Sequence, residues 1–159
     1  MRAQALAALS LTLTVAVAAL AGRDEPKAVQ GKGTVVVQDD LKQLQGSWAI
    51  AVMEEGGQNA PDDLLKDMSV LVKEDKLSVQ EKDKVILEFK VKLDPSKTPK
   101  AIDFTHILGA DKGQTELGIY AFDGDSVRFC INEKGKERPK EFATAATNKQ
   151  NLVVLKRKK

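Results

Sequence analysis

The feature that most constrains the fold is a pair of segments at the two ends of the strand-rich region. Gly46-Ser47-Trp48 opens the first predicted strand, and Arg157 ends the last one, which begins at Leu152. A small closed antiparallel barrel pairs its first strand with its last and fills its end with side chains, and an Arg stacks well on the face of a Trp. We therefore predict that Gly46, Trp48 and Arg157 close one end of a barrel.

The region between these segments has the pattern of short strands with one apolar face. It is clearest where Phe89 and Val91 alternate with Lys90 and Lys92. The strands are joined mostly by turns of two to six residues, and no crossover helices recur. The sequence predicts an all-β fold with one or two short helices, an up-and-down antiparallel β-barrel of about eight strands. A two-sheet sandwich is the alternative.

Two short helices and several tight turns complete the predicted organisation. Asp39-Asp40, placed before Leu41 and Leu44, predicts one capped helical turn. The segment 61–66 has an early Pro, acids in its first turn and a late Lys, which is the order of a short helix that lids one barrel end. The tight turns are predicted at Glu74-Asp75, Lys82-Asp83 and Asp123-Gly124.

The period-two pattern also predicts which side chains point into the barrel. They are medium to large, which favours an interior filled by side chains or one that holds a single small ligand. Val52 is assigned to the same face as Trp48 and Ile50. Val85 is assigned to the same face as Leu87 and Phe89. The predicted interior residues are Trp48, Ile50, Val70, Val79, Leu87, Phe89, Ile102, Phe104, Leu117, Ile119, Phe129 and Ile131.

The N-terminal residues have the pattern of a cleaved secretory signal peptide. Arg2 provides the positive start, an apolar stretch follows, and Ala19-Leu20-Ala21 is a small-x-small cleavage site. Ser and Thr interrupt the stretch, so a spanning helix is the weaker interpretation. We expect a signal peptide over 1–21, a flexible linker over 22–40 and the barrel over 41–159. The expected location is exported, periplasmic or extracellular, with no stable membrane anchor after cleavage.

Charge and cysteine content exclude several classes of protein. The 25 Lys and Arg residues nearly balance the 23 Asp and Glu residues, which argues against nucleic acid as a partner. Cys130 is the only cysteine, so no intramolecular disulfide forms and the core must supply the stability. The basic C-terminal tail, 156–159, is interpreted as a solvated end, with contact to an anionic envelope surface as the alternative.

No residue pattern predicts catalysis, a metal or a cofactor. His106 continues the interior register, but it is the only histidine, and a zinc or copper site needs three or four ligands. Cys130 falls on the polar face with Arg128, away from His106, so a Cys-His pair is not expected. Asp123-Gly124-Asp125 is interpreted as a hairpin rather than a calcium loop. Arg138 is expected to form a structural ion pair, with an anion clamp at the barrel rim as the alternative.

Several interior segments resemble a family of exported lipocalin-like domains that is abundant in planctomycetes. They are the run 93–103, Leu117-Gly118-Ile119-Tyr120, Asp123-Gly124-Asp125 and the run 137–142. Together with Gly46, Trp48 and Arg157, they extend the resemblance over 41–157. The resemblance implies a lipocalin-like barrel, and it implies no activity.

Two functions are compatible with these observations. In the first, the barrel binds a small apolar ligand, lipid-like or aromatic, and Phe89, Phe104, His106 and Phe129 are the candidate cavity residues. In the second, a filled barrel acts through its outer surface as an envelope or protein-interaction module with an unidentified protein partner. The first is favoured on the resemblance alone. A continuous apolar cavity of at least ~300 Å³, the lower end of ordinary ligand sites, would support it.

Overall fold

The computed structural model describes residues 39–132, 137–148 and 150–159. The predicted signal peptide and almost all of the predicted linker lie outside these residues. Within them, no helix is long and apolar enough to cross a membrane. The elements are α1 (39–44), β1 (Gly46–Glu55), β2 (Gln58–Asn59), α2 (Asp62–Leu65), β3 (Met68–Lys73), β4 (Lys76–Glu81), β5 (Lys84–Asp94), β6 (Lys100–His106), β7 (Thr115–Asp123), β8 (Ser126–Asn132) and β9 (Gln150–Arg157).

Eight of the strands form a closed antiparallel barrel. Each strand from β3 to β9 pairs with its neighbour in the chain, β1 pairs with both β3 and β9, and the two-residue β2 only extends β1. This confirms the predicted all-β, lipocalin-like up-and-down barrel. The turns predicted at Glu74-Asp75 and Lys82-Asp83 are confirmed, and at Lys82-Asp83 both residues have positive φ, as the two-residue turn between β4 and β5 requires. The third hairpin is also present, but its turn residues are Gly124 and Asp125, one position later than predicted, because Asp123 still pairs with Ser126.

The closed end is built as the sequence predicts. Trp48 pairs with Arg157 across the β1–β9 seam, and the guanidinium carbon of Arg157 lies 4.2 Å from the centre of a Trp48 ring. The same guanidinium donates to the carbonyl oxygens of Gln43 and Gln45, while the Trp48 indole donates to that of Leu44. Helix α1 thus plugs the barrel end through the stacked pair.

Gly46 is required at this end for two reasons. Its φ of +106° lies in a region that L side chains rarely adopt, and a Cβ there would meet Arg157 Nη1 at 3.3 Å. A larger residue would strain the backbone and push the guanidinium off the indole.

A polar cluster lies next to the plug. Asp40, buried at the start of α1, accepts a 2.5 Å hydrogen bond from the Tyr120 hydroxyl and lies 2.8 Å from Lys100 Nζ. Asp40 therefore belongs to the barrel domain rather than to the linker. Burial and the Asp40 carboxylate raise the pKa of Tyr120, because both disfavour the tyrosinate.

Two β-bulges correct the predicted interior. In β1 the pairing with β9 shifts between Ile50 and Val52, so Met53 lines the interior in place of Val52. In β5 the pairing with β4 skips Ile86, and Val85 pairs with Gln80 and is exposed. The predictions for Val52 and Val85 were wrong because an extra residue reverses the faces on one side of the bulge.

The predicted face of β7 was also wrong. Glu116 and Tyr120 face the interior, whereas Leu117 and Ile119 face outward. Gly118 also faces inward, where a Cβ would contact Ile102 and Phe104. Ile119 is nevertheless fully buried, because the segment after β8 covers it from outside. Burial on both faces removes the period-two signal on which the prediction relied.

Replacing Trp48 by Ala should lower the free energy of unfolding by about 3–5 kcal/mol, because the rigid strands cannot collapse into the void. Replacing Arg157 by Ala should cost about 0.5–2 kcal/mol through the lost stacking and its two hydrogen bonds. Urea unfolding of both single variants and the double variant measures these values. Small, additive effects would contradict the closure described above.

Tyr120, the only tyrosine, should resist ionisation in the folded protein. Its raised folded-state pKa means that this contribution to stability is complete below an unfolded-state pKa of about 10 and declines at higher pH. Absorbance at 295 nm should show no tyrosinate above pH ~10 until the protein unfolds. In Asp40→Asn, tyrosinate should appear at lower pH. Ionisation of the folded wild type at the ordinary pH would contradict a buried Tyr120–Asp40 pair.

Candidate functional site

The barrel interior contains a cavity of about 180 Å³ toward the end opposite the Trp48 plug. Its wall comes from all eight strands of the barrel, because each strand directs alternate side chains inward. All but two of its lining residues are apolar. They are Ile50, Met53, Met68, Val70, Leu77, Val79, Leu87, Phe89, Phe104, Glu116, Phe129, Ile131, Asn151, Val153 and Leu155.

Three of the four predicted cavity residues form an aromatic wall. Phe104 lies between Phe89 and Phe129, with ring centroids 5.8 and 5.7 Å away and the rings nearly perpendicular. All three rings line the cavity and are almost fully buried. Edge-to-face packing fixes the rings and leaves the space beside them for an apolar guest.

His106, the fourth predicted residue, is buried beside this wall. Its ring packs against Phe89 with centroids 4.5 Å apart, and its Nε2 lies 2.9 Å from the Glu116 carboxylate. His106 does not itself line the cavity, whereas Glu116 does. The histidine therefore holds the carboxylate at the cavity wall.

Asn151 is the second polar residue of the wall. It lies on β9 opposite Ile131 and Glu55. Its side-chain oxygen Oδ1 is buried and has no hydrogen-bond partner among the described residues. A buried acceptor without a partner is uncommon, and it costs about 1–3 kcal/mol.

The rim around the open end carries exposed apolar side chains. Leu64 lies on α2, Val85, Ile86 and Leu87 lie at the start of β5, and Leu108 follows β6. The helix, the strand end and the loop that carry them all lie at this rim, and Leu87 also lines the cavity. Apolar surface thus continues from the cavity wall to the rim.

A larger groove of about 620 Å³ lies on the outer surface. Arg138 lies in it and donates to the carbonyl oxygens of Ile102 and Gly118 and to the Asp103 carboxylate. These contacts agree with the expected structural ion pair. The other charged residues in the groove are Lys92, Asp94, Lys97 and Lys140.

The segment 137–148, here called the strap, crosses the outer face of the barrel. Arg138 fixes one part of it to β6 and β7, and Arg128 of β8 stacks over the Phe142 ring at 4.5 Å. The Thr144 hydroxyl donates a hydrogen bond to the Glu54 carboxylate of β1 and accepts one from the backbone N–H of Gly57. The strap therefore spans several strands that the short hairpins alone would leave uncovered.

The strap corrects the expectation for Cys130. Cys130 does lie on the outward face with Arg128, but it is fully buried, with Sγ 3.7 Å from the Ala143 carbonyl oxygen. Burial raises the pKa of its thiol. Because Cys130 faces outward and His106 inward, the two do not form a nucleophile-base pair. The described residues contain no cluster of three or more acidic, His or Cys residues that could hold a metal ion.

Comparison with known proteins found no match: no family model, no curated protein and no solved structure is similar to this chain. The resemblance to the planctomycete lipocalin-like domains thus stays a prediction. The fold itself rests on the strand pairing described above.

Sequence reasoning missed the two polar residues of the cavity. Glu116 precedes Gly118 and Tyr120 at a spacing of two, so the correct face of β7 would have included it. Asn151 opens a strand whose next in-facing residues are Val153 and Leu155. The sequence signal that could have identified Glu116 and Asn151 is a polar residue that continues the apolar face of a strand, as His106 does.

Cys130 should react slowly with iodoacetamide in the folded protein, because the strap covers it and its thiol pKa is raised. Arg138→Ala should accelerate the reaction by loosening the strap, while Lys92→Ala in the same groove should not. Mass spectrometry after timed alkylation measures both rates, with unfolded protein as the fast reference. Rapid wild-type labelling without unfolding would contradict a closed strap. Cys130→Ser should lower the free energy of unfolding by about 1–2 kcal/mol, since a polar hydroxyl replaces a buried thiol.

Proposed function

We propose that this protein is an exported binding module that holds one small apolar molecule inside its barrel. The observation that carries the proposal is the interior cavity, with its wall of Phe89, Phe104 and Phe129 and its apolar aliphatic remainder. Concave, mostly apolar sites with few polar groups are typical of small-molecule binding. The proposal includes no catalytic role for the chain.

The cavity volume limits the size of the ligand. At about 180 Å³ it is smaller than the ~300 Å³ of ordinary ligand sites, so it does not support a lipid-like ligand. An apolar cavity of about 150 Å³ in another protein binds benzene. We therefore propose a ligand of one aromatic ring or a comparable short aliphatic group.

The location of the cavity supports entry from the open end. Trp48, Arg157 and α1 block the opposite end, whereas Leu87 belongs to both the cavity wall and the rim. The exposed side chain of Leu87 offers a poorly soluble molecule an apolar contact at the entrance to the interior.

Export is part of the proposal because of residues 1–21, whose charge and apolar pattern match a cleaved signal peptide. An exported protein meets small apolar molecules before they enter the cell. The domain contains only one thiol and relies on packing for its stability, which is compatible with an oxidising compartment.

The second candidate function is an interaction module that uses the outer surface of a filled barrel. The groove beside Arg138 favours it, since its volume of about 620 Å³ exceeds that of the interior cavity. Against it, the Arg138 guanidinium is already committed to Asp103 and two carbonyl oxygens.

Ethylbenzene should bind saturably to the wild type, with a dissociation constant on the order of 0.1–1 mM, because a buried hydrocarbon of eight carbons offsets the entropy lost on binding. Val153→Phe should abolish this binding by filling the cavity, and Phe104→Ala should admit naphthalene. NMR titration measures binding.

The matched control is Leu71→Phe, which adds the same ring on the outer face of β3, where Leu71 is exposed. It should leave binding unchanged, as should Lys90→Glu. If no member of a panel of one-ring compounds binds saturably, the interior-ligand proposal fails and the outer-surface function is favoured.

A further inference from the structure

We propose that the preferred ligand carries one hydrogen-bond donor group inside the barrel, either a hydroxyl that donates to Asn151 or an ammonium group whose charge Glu116 also favours. This inference rests on the proposed function, since it concerns the chemistry of a molecule held in the same cavity. It predicts that an aromatic compound with a donor group binds more tightly than either a pure hydrocarbon or a carboxylic acid.

The unpartnered side-chain oxygen of Asn151 favours a ligand that carries a hydrogen-bond donor. This Oδ1 atom is buried, lies at the cavity wall and has no partner among the described residues. The other cavity residues, apart from Glu116, offer only hydrocarbon or thioether groups. A ligand donor that reaches this oxygen removes the cost of an unpaired buried acceptor, which a hydrocarbon ligand cannot do.

The negative charge at the cavity wall disfavours an anionic ligand. Glu116 is the only charged residue that lines the cavity, and its carboxylate lies against the His106 imidazole. No Lys or Arg is among the lining residues. A ligand carboxylate would face the Glu116 carboxylate with no cationic side chain in the wall to pair it, and burying it there is costly.

Asn151 and Glu116 lie on neighbouring parts of the barrel wall. Asn151 pairs with Ile131, Ile131 pairs with Gly118, and Glu116 is the next inward residue along β7. Asn151 and Glu116 thus lie on the same side of the barrel, on the two strands that flank β8. Phe89 and Phe104 line the cavity from β5 and β6, where an aromatic body packs while its donor points to β7 and β9.

The test uses five one-ring compounds of nearly equal size: ethylbenzene, 4-methylphenol, methoxybenzene, benzylamine and benzoate. They differ in having no polar group, a neutral donor, an acceptor only, a cationic donor and an anion. Binding of each to the purified protein is measured by NMR titration, for the wild type, Asn151→Leu and Glu116→Gln. Asn59→Leu, an identical change at an exposed position of β2, is the control.

We expect 4-methylphenol and benzylamine to bind more tightly than methoxybenzene, and benzoate to bind most weakly. In Asn151→Leu the affinity of 4-methylphenol relative to ethylbenzene should fall about fivefold, the value of one net hydrogen bond. Ethylbenzene itself should bind Asn151→Leu at least as well as the wild type. In Glu116→Gln benzylamine should weaken and benzoate should strengthen, while Asn59→Leu should change nothing.

Three results would overturn the inference. They are a wild type that binds methoxybenzene or benzoate as well as 4-methylphenol, an Asn151→Leu variant that keeps the full preference for the phenol, and a Glu116→Gln variant with unchanged selectivity between benzylamine and benzoate. In each case ethylbenzene still binds, so the proposed function survives. If ethylbenzene and all four polar compounds fail to bind, the proposed function itself fails.

Discussion

The structure depends on the seam between β1 and β9, where the first and last strands of the described barrel pair. The Trp48–Arg157 stack lies at one end of this seam, and without the seam both strands would present unpaired edges to solvent. Arg157 also fixes α1, through two carbonyl oxygens, over the barrel end. One cation therefore joins the closing strand, the plug and the largest core side chain, and each loses its position if the others move.

Closing one end so completely determines where empty space can remain. The bulky side chains Trp48, Leu44 and Tyr120 fill the barrel near α1 and are almost fully buried. Toward the other end, Val79, Val153 and Met68 are shorter or more flexible and only half-buried. The cavity and its two polar residues occur where the packing thins. The barrel is thus filled by side chains near α1 and contains a cavity toward its other end.

The sequence predicted what one-sided burial and turn chemistry determine. The tight turns follow from their residue types, and the three cavity phenylalanines follow from the period-two spacing of apolar residues. Ile119 and Cys130 could not be predicted, since the strap buries a face that would otherwise be polar. The bulge at Ala51 lies within a regular alternation of side chains and leaves no signal. Ile86 interrupts the alternation in β5, but three consecutive apolar residues do not show which of them faces inward. Asn151 is a single polar residue, and only the three-dimensional contacts reveal that its oxygen is unpaired.

The same seam has a consequence for the order in which the chain folds. The turns between β3 and β8 bring together residues a few positions apart, whereas Arg157 reaches Gln45 across 112 residues. Closing a loop of that length costs about 2 kcal/mol more chain entropy than closing one of ten residues. We therefore expect the meander from β3 to β8 to assemble first and the β1–β9 contact last, which makes this barrel a slow folder for its size.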